Sequence, residues 1–140
     1  MSSENIRAKI ADLFTTEFGA SNPTVSVDYE NQKFQQPVGA PWVKLTVIDG
    51  DDCRENIGNE TQFKTVGVVN IQIMVPEKTG TKVMRDILDS IKPIFLDRQV
   101  SMSNGSITFY YGEAKAPREV AGWYSRSYQV AFRARWTLVR

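Results

Sequence analysis

The chain has 140 residues, 16 acidic and 17 basic, with a formal net charge of +1, one cysteine and no histidine. That is the size of one ordinary domain, 1–140, able to bury a core without disulfide or metal staples. The missing histidine excludes Ser-His-Asp and Cys-His nucleophile systems, the lone Cys53 excludes an intrachain disulfide and a cysteine-built zinc site, and the charge balance excludes a strongly basic nucleic-acid footprint.

The opening "MSSENIRAKIADLF" is charged and broken by polar residues, so it does not read as a signal peptide. No apolar run approaches the ~18 residues of a membrane span. The expectation is a soluble protein, made in a reducing cytoplasm, with no membrane partner. Ser2 or Ser3 caps a first helix, with Glu4 in its first turn to complement the dipole. Ile6, Ile10, Leu13, Phe14 and Phe18 form one apolar stripe at three-to-four spacing. Gly19 is the expected C-terminal cap, and Pro23 prevents continuation.

Period-two alternation follows, with Val25, Val27 and Tyr29 opposite Ser26, Asp28 and Glu30. A Gln- and Pro-containing loop leads to Pro41. Val43, Leu45 and Val47 then share one strand face, with Lys44 and Thr46 on the other. Residues 49–61, "DGDDCRENIGNET", read as a long polar excursion, either an extended hairpin tip or a mobile loop. The strand over 62–75 is long: Val69, Ile71, Ile73 and Val75 make one face, and Val66, Val68 and Met74 mix with Asn70 and Gln72 on the other. A second helix begins near Thr79 or Thr81, with Val83, Met84, Ile87, Leu88, Ile91 and Phe95 as its buried stripe, and Pro93 kinks or ends it. After a polar link, Ile107, Phe109 and Tyr111 mark another strand, and residues 112–122 a second long mobile loop. The last strand, over 123–138, puts Tyr128, Val130, Phe132, Ala134 and Trp136 on one face and Ser127, Gln129, Arg133 and Arg135 on the other. Helix, strands, helix, strands predicts an α+β domain: a mainly antiparallel sheet with two helices packed on one face and long loops or hairpins.

The strand–Gly80–Thr81–Lys82–helix layout invites comparison with a phosphate-binding loop. That loop needs two glycines and a lysine directly after the second, and Thr81 intervenes here. The stretch reads as a strand-to-helix turn capped by threonine. Asp49, Asp51 and Asp52 could offer oxygens to a hard cation. They depart from the calcium-loop spacing after Asp51, so a solvated acidic tip is the better reading. The sequons at Asn59 and Asn104 carry no weight without a signal peptide. Arg133 and Arg135 share a strand face, and Lys44 and Lys64 join them if their strands are neighbours. That stripe faces either a partner or nucleic acid, or else solvent with cross-strand ion pairs. Trp123 and Tyr124 read as packing or interface aromatics. No catalytic, cofactor-binding or metal-binding residue is nominated.

The order of motifs carries a resemblance. A helix opens the chain, a strand ends near "PWVKLTVIDGDD", and a long strand "TVGVVNIQIMVPEKTGT" runs straight into a helix ending "IKPIF". The final strand starts through "GWYSRSYQVAF". Over nearly its whole length this resembles the tail terminator (tail-completion) proteins of long-tailed bacteriophages. The resemblance implies a small structural protein of the virion tail–neck region, made in the host cytoplasm. It implies a hexameric ring that caps the tail tube, stops its polymerisation and forms the head–tail joining interface. The implied partners are further copies of the chain, the tail tube protein and a neck or connector protein. DNA passes through the lumen without specific binding, and no cofactor is needed. In such a ring the two loops serve as arms, with Asp49, Asp51, Asp52, Arg54, Glu55, Lys115 and Arg118 as contact residues. Lys64, Trp123, Arg133 and Arg135 face a subunit boundary, the tube or the lumen. Two other readings stay open: another neck or head–tail connector protein, and an enzyme using carboxylates such as Asp49 and Asp52.

Overall fold

The structure, a computed structural model, describes residues 3–30, 32–55, 61–78, 80–102 and 104–138. Helix α1 (Ser3–Ser21) is followed by strands β1 (Ser26–Tyr29), β2 (Trp42–Arg54) and β3 (Thr61–Pro76). Helix α2 (Lys82–Phe95) then leads to β4 (Gln99–Met102), β5 (Gly105–Ala114), β6 (Arg118–Val120) and β7 (Trp123–Leu138). The seven strands make one sheet in the order β1-β2-β3-β7-β5-β4, with β6 also on β7. All pairs are antiparallel except β1 with β2, which is parallel. The fold class is therefore α+β, with a mixed rather than purely antiparallel sheet.

The centre of the sheet is the β3–β7 ladder, unbroken from Thr61↔Leu138 to Pro76↔Trp123. Its register sets Val69, Ile71 and Gly67 of β3 beside Val130, Tyr128 and Phe132 of β7. Val43, Leu45 and Val47 of β2 extend the same face, opposite Ile73, Ile71 and Val69. These residues, with Ile107 and Phe109 of β5, join the apolar stripes of both helices in one buried cluster. Phe14 stacks on Phe18 at 4.8 Å and on Phe95 at 6.4 Å, and Phe95 meets Phe109 at 5.0 Å, so aromatic rings tie α1 to α2 and α2 to the sheet. Burying each of these rings contributes roughly 1.5–3 kcal/mol.

Several sequence expectations need correction. Helix α1 passes through Gly19 and ends at Ser21, where the Asn22 N–H reaches the Phe18 carbonyl at 2.7 Å and Pro23 stops it. Ser2, one of the two expected caps, lies outside the described residues. Thr81 stands at the N-cap of α2 but makes no side-chain capping bond; the turn rests instead on Gly80 at φ +84°. Val83 is 38% exposed and leaves the buried stripe of α2, while Ile94 joins it. Pro93 lies inside the helix, which ends two residues later at Phe95.

Of the two readings left open for 49–61, the extended hairpin is the one that fits, and the expected loop over 112–122 is also largely strand. Asp49 to Arg54 continue β2 against β3, with a bulge between Asp49 and Asp52. Residues 56–60 of that expected loop lie outside the described residues. In the second loop, Gly112 to Ala114 belong to β5 and Arg118 to Val120 form β6, both paired with β7. Gly, Asp, Lys and Glu disfavour strands, and two long neighbouring strands override that preference. Tyr111 shows the same effect in reverse. A bulge between Phe109 and Gly112 breaks the alternation, and Tyr111 is 83% exposed instead of facing inward with Phe109.

Gly67 marks the tightest point of the central ladder. A Cβ there would lie 2.5 Å from the Ile48 carbonyl oxygen and 2.6 Å from the Phe132 ring. Gly67→Ala is expected to cost about 1–3 kcal/mol, the range for overpacking a dense core. Urea denaturation monitored by circular dichroism measures it, and an unchanged midpoint would mean that the ladder yields at this point.

Candidate functional site

The expected contact residues gather at two corners of the sheet, diagonally opposite each other. The first is built on the end of β2 and its neighbours. Its bulge puts two residues of β2, Gly50 and Asp51, opposite the single Val66 of β3. The side chain of Arg7, from α1, donates to Glu30 and Asp49, each at 2.8 Å. The other oxygen of Glu30 accepts the Val47 backbone N–H at 2.5 Å. Glu30 thus occupies a donor that β1, ending at Tyr29, no longer reaches. The hydrogen bond that Arg7 donates to Glu30, above all, holds the Arg7 pKa above its ordinary value; partial burial opposes it and Asp49 adds to it. The Arg7 charge is committed to these two carboxylates.

Asp52 is committed as well. Its carboxylate accepts from the Thr65 hydroxyl at 2.5 Å, and that hydroxyl accepts the Trp136 indole N–H at 3.1 Å. Thr65 is fully buried, so this chain satisfies polar groups within the sheet and fixes the strand beyond the bulge. Arg54 continues the strand opposite Phe63. Glu55 forms an ion pair with Arg135 at 3.2 Å, and Arg135 stands directly across from Lys64. Two residues along β7, the Arg133 guanidinium lies over the Tyr110 ring at 5.6 Å. The expected basic stripe therefore exists only in part: Lys64, Arg133 and Arg135 come together, and Lys44 lies farther along the sheet opposite Gln72.

The second corner is built on β5 and β6. Its bulge leaves Tyr110 and Tyr111 opposite Ala131, exposed by 41% and 83%. Gly112 follows because the Tyr128 hydroxyl fills the space: a Cβ there would come 2.0 Å from that oxygen. Lys115 pairs with Glu113 at 3.6 Å, and its carbonyl accepts from Arg126 Nε at 2.9 Å. Arg118, opposite Ser125, is exposed. Trp123 packs edge-on against Trp42 at 5.9 Å, which meets Phe34 at 5.1 Å, so it is part of an aromatic cluster.

Among the described residues no group of three or more cysteines and carboxylates could hold a metal ion. The carboxylates of Asp49 and Asp52 point to different structural partners, and they do not face a common reacting atom. Sequence reasoning missed Arg7, Glu30, Thr65 and Tyr110. Nothing in the stripe of α1 marks Arg7. Two adjacent tyrosines followed by glycine do signal a break in alternation, because neighbouring residues of a regular strand cannot share a face.

A scan of family models matches residues 5–132 to the family described as "Phage tail terminator protein". No curated protein matches. Among solved structures, a protein of no stated function superposes with a TM-score of 0.77 at 16% identity, covering 96% of each chain. A chain from the virion of a native gene transfer agent (GTA) particle superposes with a TM-score of 0.56 at 17% identity, covering 94% of each chain. At such identities the likeness is one of fold.

The Tyr128 hydroxyl carries a pH expectation. Burial first, and Tyr111 second, raise its pKa above the ordinary 10.0. Above about pH 10 the unfolded chain releases a proton that the folded chain retains, so stability is intact below that value and falls as pH rises through the folded pKa. Tyr128→Phe should lessen the loss of urea stability between about pH 9 and about pH 11. Equal losses in both proteins would show that this hydroxyl is not the group responsible.

Proposed function

The chain belongs to the phage tail terminator family, and from that premise we propose that it caps the tail tube, stops its polymerisation and forms the head–tail joining interface. The observation that carries this is the family match across residues 5–132, which spans both helices and almost the whole sheet. A structural tail or neck protein of a virion is what that membership means at its coarsest. The finer reading adds a hexameric ring of identical subunits at the tail–neck junction, assembled in the host cytoplasm. Its partners are the tail tube protein on one side and a neck or connector protein on the other. DNA passes through the bore without sequence-specific contact.

The site supports an assembly role. Charged groups at the first corner are spent on fixing the sheet, and large apolar side chains are left outside it: Ile48 is 56% exposed and Val66 49%. Exposed aromatic and aliphatic groups with a charged rim suit a protein contact. The Lys64, Arg133 and Arg135 group faces outward on the side of the sheet opposite the core, where a contact with the head side or the bore would meet it.

Purified protein added to polymerising tail tubes tests this directly. The expected result by electron microscopy is tubes of limited length ending in a ring; tubes that keep growing with free ends would overturn it. Binding to the head portal side alone would move the chain to the connector class. A second test reverses charge at Lys64 and Arg135. Loss of the exposed Arg135–Glu55 pair costs at most about 1 kcal/mol, so Lys64→Glu with Arg135→Glu should keep its circular dichroism spectrum. Head joining by these capped tails should fail, and normal infectious particles would mean that the group is only solvated.

A further inference from the structure

Both edges of the sheet are left open, and at different heights. On one side β1 covers β2 only from Trp42 to Leu45. The Glu30 carboxylate takes the next outward donor, at Val47. From Ile48 to Cys53 no strand among the described residues covers that edge of β2. On the other side β4 covers β5 only from Gly105 to Thr108. From Tyr110 through β6 no strand among the described residues covers that edge either. Followed across the ladder to β7, the first gap spans 131–135 and the second 123–131. The two gaps are therefore offset by about six residues, or roughly 20 Å at ~3.3 Å per residue.

Resting on the ring reading above, we propose that the open edge of β2 pairs with the open β5–β6 edge of a second copy, so that one sheet continues from subunit to subunit. Strand sense permits it. β2 is antiparallel to β3, β3 to β7 and β7 to β5, so β2 and β5 run antiparallel to each other. Rotation about a ring axis preserves each copy's orientation, and the join is then an ordinary antiparallel ladder with the same face inward all round. The offset supplies the stagger that a sheet needs to close on itself. Exposed apolar groups support the same join. Of the seven large apolar side chains left exposed among the described residues, Ile48 and Val66 flank the β2 gap and Tyr110 and Tyr111 lie in the β5 gap. The contact is heterologous: each copy offers one edge of each kind, so it propagates until a ring closes. Pro117 lies between β5 and β6, outside both strands, and a bulge at each edge bends the strand without covering it.

The offset sets Cys53 of one copy opposite Glu113 of the next. Cys53 is the single cysteine and is exposed, so the native chain carries half of a cross-link. Glu113→Cys, and Tyr111→Cys to allow for a shift of register, should give a ladder of disulfide-linked oligomers on a non-reducing gel after mild oxidation. Cys53→Ser in either background should abolish the ladder, and the native protein should stay monomeric on the gel. Rings seen by electron microscopy without cross-links in either variant would overturn the edge pairing and leave the ring reading standing. Disulfide dimers of the native protein would mean that two β2 edges pair about a two-fold axis, which also overturns it. A monomer by light scattering, alone and with tail tubes, would overturn the ring reading and the edge pairing together.

Discussion

Everything in this fold hangs on the ladder between β3 and β7. Its length lets the sheet carry neighbours on both sides, and its unbroken register decides which side chains face the core. Because side chains alternate along a strand, a slip of one residue would turn Val69, Ile71 and Ile73 outward and bring Asn70 and Gln72 in. The apolar face that the helices need would vanish. Phe132 pressed against Gly67 and the Trp136–Thr65–Asp52 chain each fit one register only. Shape at one point and hydrogen bonding at another thus hold the same alignment.

The bulges in β2 and β5 are the counterpart of that regularity. Each inserts one residue, reverses the alternation beyond it and carries exposed apolar groups at or beside it. In β2 the reversal is what brings Asp52 to the buried Thr65 and puts Cys53 across from Lys64. In β5 it lifts Tyr110 to meet Arg133 and turns Tyr111 out. The irregular places of the sheet are where large apolar groups come to its surface, while the ladder between them is unbroken.

Much of this was legible in the sequence, for a physical reason. Ile6, Ile10, Phe14 and Phe18 could face one side only on a helix, and Tyr128 to Trp136 only on a strand, so periodicity sufficed. The order of these elements also carried the family resemblance, which the family match across residues 5–132 bears out. What periodicity could not show was where alternation breaks. The acidic run after Asp49 has a loop's composition, yet β3 holds it as strand; the strand over 62–75 was legible, but not that β2 extends to Arg54 beside it. Arg7 was invisible for the same reason, since its partners Glu30 and Asp49 lie 23 and 42 residues away. Open edges are less legible still, because they depend on where β1 and β4 stop.

The sequence distance across the central ladder bears on how the chain reaches this state at all. Thr61 finds Leu138, and Pro76 finds Trp123, across most of the second half of the chain. Until residues 123–138 have left the ribosome, one side of β3 has no partner, and Val69, Ile71 and Ile73 cannot be enclosed. Contacts of such long range close slowly, because the loop between them must be ordered before it is rewarded. The β2–β3 hairpin can pair earlier, but the sheet gains its centre only when β7 is made. Truncated translation products, lacking β7, have no central ladder with which to join an assembly.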